Sequence, residues 1–315
     1  MSPMKGNFIQ SKPWDDTIDR SVIIELINQK IKFLNPKETL LMNKALLNWW
    51  LGENTVLSRD FLRFEDNESK IIAFLGVVKS PMLKDAWKVG YGLLPDYFKS
   101  DLPGKIIDAS LSLGKKLKVP ELLFDTYGSI SLPFDEKLKS MGFTPIRYVW
   151  SMLLDDFRLF NIPKIPQGII LRKELEINDY SSYTTVMNEA FQDSFKWEPK
   201  TEKEFKKIND SLRKTNEIEH YFALENEKLI GTCDISINPK QDFIGTIYTF
   251  SILPSYQCRG IGSALFAFGV EFLREKGCKE ITLGVEANNE KALDLYKKFG
   301  FYTQDNLTQK TYQLI

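Results

Sequence analysis

Two short stretches in the last fifth of the chain carry residue types whose spacing has a chemical reading. The first is Gln257-Cys258-Arg259-Gly260-Ile261-Gly262, followed by Ser263. Glycines have no Cβ, so backbone N–H groups at a helix start can approach a ligand closely, and those donors together with the positive helix end suit a pyrophosphate. Arg259 adds a charge-assisted contact. Two glycines before a helix also have a plainer explanation, tight packing. The second stretch runs from Asn288 to Phe301, where Asn289 and Tyr296 stand seven residues apart. That is two helical turns, so both face one extended ligand. Tyr296 equally belongs to an apolar stripe with Ala292, Leu295 and Phe299, which would make it a core residue.

The elements that position these residues follow from pattern. Gly245 to Leu253 is rich in β-branched and aromatic residues and ends at Pro254, as a strand leaving its sheet should. After the loop Ser255 to Gly262, a helix is expected from Ser263, with Leu265, Phe268 and Phe272 on one stripe and Gly277 as its stop. Ile281 to Val285 reads as the next strand.

The order of these signatures, Q-x-x-G-x-G after a strand ending in apolar-x-Pro, then N-x-x-A-x-x-L-Y-x-x-x-G-F, resembles the GNAT superfamily of acyl-CoA N-acyltransferases. The resemblance is clear over about residues 220 to 302 and extends weakly to the rest. It implies that backbone amides from Gln257 to Ser263 (Gln257, Cys258, Arg259, Gly260, Ile261, Gly262 and Ser263) hold the pyrophosphate of acetyl-CoA. It further implies that the strand around Ile252 and Leu253 pairs with the pantetheine, that Asn289 contacts the cofactor, and that Tyr296 protonates the leaving thiolate. The implied activity is transfer of an acetyl group to a primary amine of a small molecule, with no metal.

An amine attacking a thioester must lose a proton, needs a donor for the developing oxyanion, and benefits from an acid beside the departing sulfur. A strand N–H near Ile252 and Leu253 and the Tyr296 hydroxyl fit the last two needs. For the base, many relatives use a carboxylate on the strand before the phosphate loop, yet Ile244 to Leu253 contains no acid. Glu286, at the end of the next strand, is the first substitute and Asp234 the second; a water chain, or an acceptor that arrives neutral, needs neither. Acceptor recognition is expected from Met187 to Phe205, where Phe191, Phe195 and Trp197 alternate with Asp193, Glu198 and Glu202. That pattern suits a cationic amine, and it equally suits an amphipathic helix pair.

The chain also repeats itself. Lys70-Ile71-Ile72 recurs as Lys228-Leu229-Ile230 and Met141-Gly142-Phe143 as Phe299-Gly300-Phe301, each 158 residues on, while Leu93-Leu94-Pro95 recurs as Ile252-Leu253-Pro254 at 159. Three landmarks in one order indicate two copies of one fold. Each is an α/β (α+β) layer with a mixed, mostly antiparallel sheet flanked by helices, in a tandem arrangement resembling mycothiol synthase. The Pro-containing segment Asp155 to Gly168 reads as the linker, giving an N-terminal domain at 1–160 and a catalytic one at 161–315. In the first copy the turn after Pro95 carries Asp101 and Pro103 and keeps one glycine, Gly104, and at the repeat offset Leu138 and Ser131 stand for Tyr296 and Asn289. That copy is expected to be degenerate.

Composition sets the outer bounds. The 315 residues hold 42 Lys plus Arg against 42 Asp plus Glu, so no overall field draws the protein to nucleic acid or anionic membranes. Cys233, Cys258 and Cys278 have no C-x-x-C spacing and read as free thiols. The single histidine, His220, argues against a histidine-rich metal site or a Ser-His-Asp hydrolase, and is expected to be an ordinary, partly exposed side chain. With no long apolar run, a cytoplasmic location is expected. Two rival readings stand beside the enzyme: a catalytically silent acyl-CoA-binding sensor or scaffold, and an aminoacyl transferase using charged tRNA, which the zero net charge disfavours.

Overall fold

A computed structural model describes residues 9–38, 40–128, 132–174, 177–214, 216–237, 243–304 and 307–314. These residues form two compact units, one reaching to Tyr148 and regaining the chain at its C-terminal end, the other running from Val149 to the start of that last stretch.

The first unit contains β1 (Gln10–Pro13), α1 (Ser21–Leu34), α2 (Lys44–Leu51), α3 (Leu57–Asp60), β2 (Phe61–Glu65), β3 (Ile71–Lys79), β4 (Trp87–Leu93), α4 (Leu102–Leu117), β5 (Leu123–Tyr127), α5 (Leu132–Ser140) and the start of β6 (Phe143–Leu154). The second contains the rest of β6, then β7 (Ile169–Glu174), α6 (Tyr180–Phe191), α7 (Glu202–Leu212), β8 (Glu217–Glu225), β9 (Lys228–Ile237), β10 (Ile244–Ile252), α8 (Ile261–Glu275), β11 (Glu280–Glu286), α9 (Glu290–Lys298) and β12 (Tyr302–Thr303). The last strand, β13 (Gln309–Leu314), pairs antiparallel with β5 of the first unit, Tyr312 opposite Phe124.

In the second unit the strand order is β6-β11-β10-β9-β8-β7, with β12 also on β6. Every pairing is antiparallel except β10 with β11. In the first unit β1-β2-β3-β4-β5 repeats that pattern, and again one pair, β4 with β5, is parallel. The repeat landmarks are therefore equivalent places in two sheets. Residues 71 and 229 lie at the starts of β3 and β9, and Pro95 and Pro254 open short 3-10 turns after β4 and β10. Gly142 and Gly300 follow α5 and α9.

Strands such as β3, an almost unbroken apolar run, are buried on both faces, and helices cover them. In the second unit Leu265, Phe266 and Val270 of α8 close over Ile230, Cys233 and Ile235 of β9 and Ile281 and Leu283 of β11. Ile106 and Ile107 of α4 do the same for the first unit. Helix α8 starts at Ile261, two residues before the expected Ser263, because Gly260 sits at φ +79° and turns the chain directly into the helix. Among the described residues no helix is long and apolar enough to cross a membrane.

Candidate active site

The parallel ladder between β10 and β11 runs only from Ile244 opposite Glu280 to Ile247 opposite Leu283. Beyond that point the strands part, and at the same place β10 carries a bulge against β9, between Ile247 and Thr249. A bulge bends its strand and adds twist, which opens the gap further. Past the unpaired Tyr248, β10 from Thr249 to Ile252 keeps its pairing with β9 while its other edge faces the opening.

Strand alternation decides which groups that edge offers. The N–H of Leu253 donates to Ile230 O at 2.9 Å, toward β9. Of the expected Ile252 and Leu253 pair, the Leu253 amide already has an acceptor. The amides of Phe250 and Ile252 alternate to the opposite side. Ile252 O accepts from Gln257 Nε2 at 3.2 Å, which ties the start of the loop to the strand end.

The loop leads into α8, whose first intrahelical bond is Ala264 N–H to Gly260 O, 3.2 Å. No side chain caps this helix. The amides of Ile261, Gly262 and Ser263 have no acceptor among the described residues, so three donors converge at the positive end of a helix. At Gly260 a Cβ would be strained by the positive φ, and at Gly262 it would come to 3.5 Å from Ile252. Cys258, exposed, also adopts a positive φ of 61°. Arg259 is held by Glu225 at 2.5 Å, with its guanidinium 5.3 Å from the Tyr256 ring centroid, and Glu225 raises its pKa. This arrangement suits an anion such as a pyrophosphate: free amides at a helix start and a cation at the rim.

The equivalent helix of the first unit is different. Leu102 N–H donates to Ser100 Oγ at 3.1 Å, Pro103 has no N–H, and Asp101 accepts an ion pair from Lys105 at 2.9 Å. The β3–β4 register runs unbroken from Ala73 opposite Leu93 to Lys79 opposite Trp87, without the bulge. Leu138 is fully buried in the first unit's core, and Ser131 lies outside the described residues.

Tyr296, on α9, is buried to 6% exposure. Its ring lies 4.9 Å from that of Phe266 on α8 and 6.4 Å from that of Phe250, on the open half of β10. It is thus part of the aromatic core and a neighbour of the opening at once. Its hydroxyl has no hydrogen-bond partner among the described residues, and burial raises its pKa above the ordinary tyrosine value. Asn289 caps α9, its Oδ1 accepting from Ala292 N–H at 3.2 Å, which leaves its Nδ2 as a donor on an exposed residue. Glu286 is the last residue of β11, half-buried, opposite Val149 of β6 and past Leu283, the last position paired with β10, so it stands on the margin of the opening.

Asp234, on β9 opposite Thr249, is committed to other partners. It is fully buried and accepts from Tyr183 Oη (2.6 Å), Thr232 Oγ1 (2.7 Å) and His220 Nδ1 (2.9 Å). A guanidinium only donates, so the 3.0 Å contact of Arg213 Nη2 makes His220 Nε2 the acceptor and Nδ1–H the donor to Asp234. His220 is accordingly not partly exposed, as its sequence context implies, but 0% exposed. A lone histidine gives no local sign of the aspartate opposite it on the next strand, where the register pairs residue 220 with 234. The bulge residue Tyr248 joins the edge of this network, its hydroxyl donating to Asn209 Oδ1 at 3.4 Å.

In the expected acceptor segment, Phe191 and Trp197 stack at 5.3 Å, and the buried Lys200 sits 4.5 Å from the Trp197 ring while donating to Glu198 O. The segment is a helix, loop and helix, the second fixed by a reciprocal cap between Thr201 and Glu204. A cation already sits over its Trp197 ring.

Residues 183–301 match the family model described as Acetyltransferase (GNAT) family. The mycothiol acetyltransferase of Paenarthrobacter aurescens is 26% identical over 219 residues, 67% of this chain and 65% of its own length. That of Saccharomonospora viridis is 26% identical over 157 residues, 47% of this chain and 50% of its own. The chain thus spans from half to just under two thirds of these curated relatives. A solved tandem GNAT protein from the clavulanic acid biosynthesis pathway shares the fold with a TM-score of 0.72 at 12% identity, covering 98% of this chain and 99% of its own. The stretch that builds the opening, the uncapped helix and Tyr296 lies within the residues that match the GNAT acetyltransferase model, in a chain whose fold is that of the tandem GNAT protein.

Proposed function

We propose that the protein is an acetyl-CoA-dependent N-acetyltransferase that passes the acetyl group directly to a primary amine of a small molecule, with the chemistry in its second unit. The observation that carries this reading is the coincidence of three features at one place. The β10–β11 ladder ends at Ile247 and Leu283, α8 presents free amides from Ile261 to Ser263, and the Tyr296 ring stands beside Phe250.

The residues divide the work as follows. The amides of Ile261, Gly262 and Ser263, with Arg259 at the rim, bind the pyrophosphate. The open edge of β10 from Tyr248 to Ile252 pairs with the amide-bearing arm, and the Ile252 or Phe250 N–H supports charge developing on the thioester oxygen. Asn289 donates to the cofactor from the start of α9. Glu286, at the margin, accepts the proton of the attacking amine. Tyr296 donates its proton to the departing thiolate, and its burial keeps that proton in place at neutral and mildly alkaline pH. The fully buried Asp234, with three donors already on its carboxylate, holds β8, β9 and α6 together instead.

The test is incubation of the full chain with acetyl-CoA and a panel of primary amines, reading free thiol. Thiol release that depends on the amine supports the enzyme. Saturable binding of acetyl-CoA without amine-dependent release replaces it with a silent acyl-CoA-binding protein, the reading favoured by the lack of any acid on β10.

A further inference from the structure

We propose that Lys30, in the first unit, is a reactive lysine whose Nζ takes an acyl group directly from an acyl thioester, in preference to the exposed lysines of the chain. The first unit parts its two parallel strands at the place equivalent to the second: β4 and β5 pair only at Lys88 opposite Leu123 and Val89 opposite Phe124. Helix α1 lies against β4 so closely that a Cβ on Gly92 would come within 2.9 Å of the Leu26 backbone. Lys30 is one turn beyond Leu26 on the same helix face. That contact delivers its ammonium to the margin of the opening, 4.0 Å from the Tyr91 ring centroid on β4 and 5.9 Å from that of Tyr127 on β5.

A partly buried ammonium is ordinarily held by a carboxylate in a direct ion pair, and here the nearest one acts only through space. Asp125, the acid on the facing strand, is taken by an ion pair with Lys88 and by Thr311 Oγ1 at 2.7 Å. Lys30 itself makes no hydrogen bond or ion pair among the described residues; its ammonium sits over ring faces, with Asp125 and Lys88 acting on it through space. The groups around it are Lys88 and Tyr91 on β4 and Asp125 and Tyr127 on β5; Glu38, beyond α1, and Arg147, on β6, act on those β5 residues. Desolvation favours the neutral amine most strongly, the charge of Asp125 opposes it, and the nearby Lys88 adds to the desolvation. Together they bring its pKa down to about 8.

A neutral amine is a nucleophile. Its lone pair attacks the thioester carbonyl carbon, the C–N bond forms, the C–S bond breaks, and the thiolate leaves with the electron pair. The proton lost by nitrogen passes to water, and the product is a neutral N-acyl lysine. At about pH 7.5 roughly a quarter of a group titrating near 8 is neutral, against about one part in a thousand for an ordinary lysine.

The experiment exposes the full chain to acetyl-CoA at about pH 7.5 and measures acetylation of each lysine by peptide mass spectrometry, with exposed Lys99 and Lys116 as references. Lys30 is expected to react at least about tenfold faster than either. Lys30→Arg should remove that label and no other. The same preference is expected in a Gly260→Asp chain, whose phosphate-binding loop is disabled; its loss there would mean transfer by the second unit and would overturn direct reaction. Trace acetic anhydride supplies the small-reagent control, with reactivity at Lys30 levelling off above about pH 8 and that of the references still climbing at about pH 10. Acetylation of Lys30 by acetyl-CoA no faster than that of Lys99 and Lys116 overturns the proposal, whatever the anhydride shows.

Discussion

Tyr296 has two roles that a single atom separates. Its ring fills the space between Phe266, Phe250 and Phe301, and its hydroxyl has no hydrogen-bond partner among the described residues. Tyr296→Phe keeps the ring, so packing alone predicts an unchanged rate. The acid role predicts a fall in kcat of about 10²-fold, near 2.7 kcal/mol, with acetyl-CoA affinity little changed. Because burial raises the folded pKa above the ordinary value near 10, the proton stays on through mildly alkaline pH. The wild-type rate should therefore show no loss from this group below about pH 10. Glu286→Gln should lower turnover at neutral pH by about 10²-fold and remove an acidic limb from the pH profile, leaving acetyl-CoA binding unchanged. An unaltered profile moves the base role to water. At this scale the sequence reveals what spacing reveals: Asn289 and Tyr296 on one helix, Gly260 at a turn. It does not reveal partners brought from other strands, which is why the buried His220 with Asp234 and the placement of Lys30 against Tyr91 emerge only from register.

The elements carry more of their own signal. Strand β10 ending before Pro254, helix α8 with its Gly277 stop, and the Asn289 cap are each written in local residue types. The bulge at Tyr248 is not, because it depends on how β9 and β10 come into register, and nothing in Ile244 to Ile252 marks it. The start of α8 was readable only to within two residues, since a left-handed glycine can precede a helix or sit inside a longer turn. Gly260→Ala tests that turn. The left-handed φ should make the alanine cost about 1 kcal/mol in urea unfolding while leaving the amides of Ile261 to Ser263 in place. Alanine at Gly104, inside α4 and with its nearest side-chain atom 3.9 Å from the added Cβ, should instead be neutral or stabilising.

At the scale of the whole chain, the repeat at 158 residues announced two copies of one sheet, and the equivalent parallel pairs β4–β5 and β10–β11 realise it. What the repeat could not announce is that the last strand, β13, pairs with β5 of the first unit, because strand partners 186 residues apart leave no local pattern. Tyr312 on β13 is fully buried in the first unit's core. Tyr312→Ala should cost about 3–5 kcal/mol of that unit's stability and leave acetyl-CoA binding intact, as read by urea unfolding beside ligand titration. The differences between the two openings make the central claim that one acyl-CoA site exists per chain, at α8. Calorimetric titration with acetyl-CoA tests it most directly. A stoichiometry near one is expected, abolished by Gly260→Asp, which sets a carboxylate against phosphate, and retained in Gly104→Asp. Two equivalent sites, or binding that survives Gly260→Asp and disappears with Gly104→Asp, would contradict it.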